Sequence, residues 1–88
     1  MDLAKIKVMT NLADSGQDDF VSYWANMAFN ALYEQGISEN YLNSDKATGI
    51  IAKAVTDLIE DGNLTSTTLS LIATLRANHP HSEDEENV

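Results

Sequence analysis

The stretch 18–36 constrains this chain most, because it reads as one long helix whose apolar face is too wide for an ordinary surface helix. Advancing about 100° per residue, Met27, Phe20, Ala31, Trp24, Ala28, Val21, Leu32, Ala25 and Phe29 fall on one continuous arc. That arc spans roughly 200°, about twice what a helix packed on one side needs. Core packing alone is the simplest account of it. The excess also suggests cover from a neighbouring molecule, and Phe29, at the far edge, is the residue expected to face one. The other helices are expected to be arranged around this one.

The rest of the chain has limited means to cover so wide a face. At 88 residues it is one domain, close to the size at which folding buries only about 60% of the unfolded surface. Without cysteine there is no disulfide framework and no thiolate metal site. No run of about 18 apolar residues or signal-like leader is present, so a soluble, non-secreted protein without membrane contact is expected. Fourteen acidic residues against five basic ones give a net charge of -9. Four of the acids lie together, Glu83 to Glu86, yet the remainder is still acidic. Such a surface has no electrostatic footprint for gripping phosphates.

Periodicity and capping signals divide the chain into four helices. Asp2 caps a short first helix with Leu3, Ile6 and either Val8 or Met9 inward. Residues 13–17 form a loop, Ser15 or Asp18 caps the long helix, and Gly36 closes it. Residues 37–44 are expected as a connecting loop. A third helix over 46–60 places Ile50, Ile51, Ala54, Val55 and Leu58 on one face and Lys53, Thr56, Asp57 and Glu60 on the other. Thr65 caps a last helix running to Ala77 or Asn78, and Pro80 stops it. The fold class is therefore all-α: about four helices, 1–78, around one long central helix, followed by a flexible acidic tail, 79–88. Phe20, Trp24, Leu32, Ile51, Val55, Leu58, Ile72 and Leu75 are the expected core.

Chemistry is sparse. His79 and His81 flank Pro80 beside carboxylates, but a metal site needs fixed ligands with outer partners, which a flexible tail does not supply. No serine has a histidine on a structured element to activate it. Asp18 with Asp19, and Asp57 with Glu60 and Asp61, read as solvated carboxylates at helix ends and not as an acid with its base. No catalysis, cofactor or metal is expected.

The chain has a short first helix with Leu3, Lys5, Lys7 and Val8, an acidic approach to Asp18-Asp19-Phe20, a long helix closing on Gly36-Ile37, a helix ending at Gly62, and a leucine-rich last helix. In this order it resembles the small head-tail connector proteins of tailed bacteriophages. The resemblance implies a structural virion protein, made in the host cytoplasm, that forms a ring of about twelve copies below the portal. Such a ring extends the DNA channel and joins the portal to the next head-tail joining protein. An acidic lumen lets DNA pass without specific binding. Phe29, Ala25, Leu32 and Leu69 are the expected subunit contacts. His79, His81, Glu83, Asp84, Glu85 and Glu86 are the expected docking residues of the tail, whose removal should not change folding stability. The alternative reading is an acidic binding protein, a DNA mimic or regulatory module. DNA binding by a helix-turn-helix is disfavoured, because the last helix carries only Arg76.

Overall fold

The computed structural model describes residues 2–10 and 18–85. The expected loop over 13–17, the Ser15 cap and Glu86 lie outside the described residues. Every element is helical: α1 Leu3–Met9, α2 Asp18–Glu34, α3 Glu39–Leu42, a 3-10 turn Asp45–Ala47, α4 Thr48–Asp61, α5 Ser66–Asn78 and α6 Ser82–Glu85. Among the described residues there is no strand, only an isolated bridge between Ile37 and Pro80.

Local chemistry sets most boundaries. The Asp2 side chain accepts from Lys5 N at 3.1 Å and starts α1. The Thr65 hydroxyl accepts from Thr68 N and starts α5. Gly62 ends α4 at φ 73°. After α2 the chain closes with Gly36 N donating to Tyr33 O and Ile37 N donating to Leu32 O, the paired bonds that a left-handed residue allows. Gly36 supplies that residue at φ 106°. Ser38 caps α3 by accepting from Tyr41 N, so a short helix stands where the sequence suggests a loop.

The core is one cluster. Val21, Ala25, Ala28 and Leu32 of α2 join Ile50, Ile51, Ala54 and Val55 of α4, with Ile6, Ile37, Leu42 and Ile72 closing it. The four α2 positions cover only about 60° of the apolar arc, at about 100° per residue. Of the expected core, Leu32, Ile51, Val55 and Ile72 are fully buried, while Trp24, Leu58 and Leu75 are partly buried and packed against it. Phe20 is 40% exposed, which corrects its assignment to the interior. Val8 and Met9 are both exposed as well, so α1 contributes Ile6 and Leu3 alone.

The described molecule measures 40 × 28 × 16 Å. Helices pack about 8–10 Å apart, so the shortest dimension holds two layers and each helix keeps an outer face. α2 lies mainly on α4, and α1 and α5 also pack on α4.

Two glycines predict opposite substitutions. A Cβ on Gly36 would sit 2.6 Å from Arg76 Cδ at a positive φ, so Gly36→Ala should cost about 1–2 kcal/mol. A Cβ on Gly49, in the first turn of α4, meets only Met9 Cε at 3.9 Å, so Gly49→Ala should stabilise by about 0.5 kcal/mol. Urea unfolding of the two variants beside the parent checks both signs.

Candidate functional site

Three features stand out among the described residues. The first is an outward edge on α2. Phe20 is 40%, Tyr23 58% and Met27 45% exposed; at helical spacing they share one margin of the apolar arc. The rings are held rather than loose. Phe20 and Tyr23 each meet Trp24 edge-on, with centroids 6.4 and 5.5 Å apart, a geometry that aromatic pairs favour.

This reverses part of the expected subunit contact. Phe29, at the opposite margin, is packed against the core, and Ala25 and Leu32 are fully buried. Ala25 and Leu32 are closed to a neighbour by the chain's own packing, and Phe29 keeps only part of its surface. Leu69 remains available at 42% exposure, and Leu71, two residues on and so on a different face of α5, is 48% exposed.

The second feature is the C-terminal segment, which the sequence suggests is mobile. It is instead clasped onto the corner between α2 and α3. Ser38 N donates to His79 O at 2.7 Å, and the His79 ring stacks on Tyr41 with centroids 4.2 Å apart. His79 Nδ1 also lies 3.3 Å from the Glu83 carboxylate. His81 Nε2 donates to Tyr33 O at 2.6 Å. Asp84 receives Glu39 N at 2.8 Å and Asn40 N at 2.9 Å, so it caps α3 from a distance of more than forty residues in sequence. The Asn40 amide, opposed by partial burial and helped by the Glu39 amide, His81 and Ser38, holds the Asp84 carboxyl below the usual range. Arg76 Nη1 donates to Gln35 O at 3.0 Å from the same side.

His79, His81, Glu83 and Asp84 are thus bound internally, which corrects the expectation of a mobile tail. Glu85 ends α6. The expected outcome of truncation changes accordingly. Deleting everything after Asn78 removes a double cap and two further hydrogen bonds, and should lower stability by roughly 1–3 kcal/mol. Thermal melts of the truncated and full chains decide it, since equal midpoints would mean the clasp contributes nothing.

The third feature is Asp57, which the sequence places on a solvated face. It is 2% exposed. Its carboxylate takes Lys53 Nζ at 2.9 Å, Thr65 N at 3.1 Å and Thr65 Oγ1 at 3.0 Å, and a further bond from Thr68 Oγ1. Burial alone would raise its pKa, but the bonds from Thr68, Lys53 and Thr65 outweigh it and hold the group at about 2 instead of 3.8. The carboxylate therefore latches α5 to α4.

Beside that latch, between α3, α4 and α5, lies a groove of about 390 Å³ lined by Tyr41, Ile50, Leu71 and Leu75 together with Lys46 and Lys53. Among the described residues no group of three or more His, Cys, Asp or Glu is placed to hold a metal ion. No described helix is long and apolar enough to cross a membrane. No protein-family model, curated protein or solved structure matches the chain.

Proposed function

We propose that this chain is a structural, non-catalytic subunit that works by associating with copies of itself, in the manner of a head-tail connector ring in a phage virion. The observation that carries the reading is the pair of unlike apolar surfaces on one small, two-layered subunit: the Phe20–Tyr23–Met27 edge of α2, and the groove that the exposed Leu71 of α5 lines. A single patch paired with itself closes a dimer, whereas two different patches pair head to tail and close a ring when the rotation permits. Thin cores gain stability from such neighbours.

The charge agrees with a channel. A subunit of net charge -9 repels phosphates and lets DNA slide past it. A mimic of DNA is less well served, because Asp57 and Asp84 spend their charge on internal hydrogen bonds instead of standing in exposed rows. In this reading the partners are further copies, a portal protein and the next head-tail joining protein, at the head-tail interface of the virion.

The test is mass measurement with a candidate portal. Purified protein mixed with portal rings should co-sediment at about one ring of subunits per portal. If the chain stays at monomer mass with every portal tried and at every concentration, the connector reading fails.

A further inference from the structure

Resting on that self-association, we propose which surfaces mate: the Asp19–Phe20 corner of α2 in one copy enters the groove between α4 and α5 of the next. Charge limits how two copies can meet. Two copies that each carry -9 repel, so a stable contact must bring cations of one against acids of the other. The chain has only five cations. Two of them, Lys46 and Lys53, line this one apolar groove. Lys5 and Lys7 lie on α1, and Arg76 is committed to Gln35 O.

Lys53 is also committed in part, to Asp57 at 2.9 Å, although its side chain is still 41% exposed. Lys46 is exposed. The groove therefore asks for an apolar group with a carboxylate beside it. The α2 corner presents that combination. Phe20 is 40% exposed and braced edge-on by Trp24, and its neighbour Asp19 is exposed. Phe20 seated on Ile50, Leu71 and Leu75 puts Asp19 in reach of Lys46, and the aromatic ring supplies most of the contact area.

The pairing is between different surfaces, so it has a signature that a self-paired patch cannot imitate. Phe20→Glu removes the inserted group and Leu71→Glu spoils the groove. Both residues are exposed, and unchanged far-ultraviolet dichroism confirms that the variants fold. By sedimentation each variant alone should remain monomeric, while an equal mixture should form a one-to-one dimer and stop there, because one intact contact survives per pair. Charge reversal gives an independent reading that leaves the apolar parts in place. Lys46→Glu or Asp19→Lys alone should weaken association at least roughly tenfold, and the two together in one chain should restore it.

Variants that assemble like the parent, or a mixture that stays monomeric while the parent assembles, would overturn this pairing and leave self-association standing. A parent that never assembles would overturn both.

Discussion

Replacing Asp57 with alanine should destabilise the protein by about 3 kcal/mol and reduce its sensitivity to acid. The loss follows from what the carboxylate holds. Thr68 is fully buried, and both its hydroxyl and the Thr65 amide and hydroxyl end on Asp57. Without an acceptor, buried donors of this kind cost about 1–3 kcal/mol each, less whatever water recovers. The acid dependence follows from the low folded pKa. A group held at about 2 when folded and at 3.8 when unfolded stabilises the native state fully above the higher value. That contribution falls away as pH drops from 3.8 toward 2 and amounts to about 2 kcal/mol at 1.36 kcal/mol per unit. Urea unfolding at pH 7 and pH 2.5 should show a smaller drop in Asp57→Asn than in the parent, the remainder including that of Asp84. An Asp57→Asn variant with the parent's full pH dependence would place the acid sensitivity elsewhere.

Leu32→Ala should cost about 2–5 kcal/mol, a large part of the stability of so small a domain. Leu32 is fully buried and sits in the cluster joining α2 to α4, with Ile51, Val55 and Ile37 as fellow members. The site has little freedom to collapse, because α2 is pinned at this end by the Gly36 closure and by Arg76 on Gln35 O. Trp24→Ala should cost less than a fully buried aromatic normally does, since Trp24 is only partly covered. Denaturant midpoints rank the two, and a Trp24→Ala loss larger than that of Leu32→Ala would contradict the assigned core.

The sequence makes helices legible here because the apolar spacing and the capping residues agree. Asp2, Thr65, Gly36 and Gly62 all act where local chemistry places them. The width of the apolar arc on α2 is also a real signal, but periodicity cannot say which margin faces out. Tertiary packing leaves Phe20 and Met27 exposed and Phe29 partly buried against the core. Asp57 was illegible for a different reason. A polar residue on the polar face of a helix reads as solvated, and its partners stand 8 and 11 residues further on, across a turn. Its position in the latter part of α4, where the helix dipole disfavours an acid, was the available hint. The C-terminal clasp left no hydrophobic trace at all. It is built from backbone donors, a carboxylate cap and histidine rings on tyrosines, and such contacts have no period to detect.

The single tryptophan of the chain reports directly on whether another copy covers the outer edge of α2. Trp24 lies against both Phe20 and Tyr23, so its emission and its access to a soluble quencher follow the state of that edge. Mass and Trp24 fluorescence measured on the same samples across a wide concentration range should change together. Self-association through this edge should give a rise above monomer mass accompanied by a blue shift and reduced quenching. A monomer throughout, or an oligomer whose Trp24 stays as open to quencher as in the monomer, would contradict it.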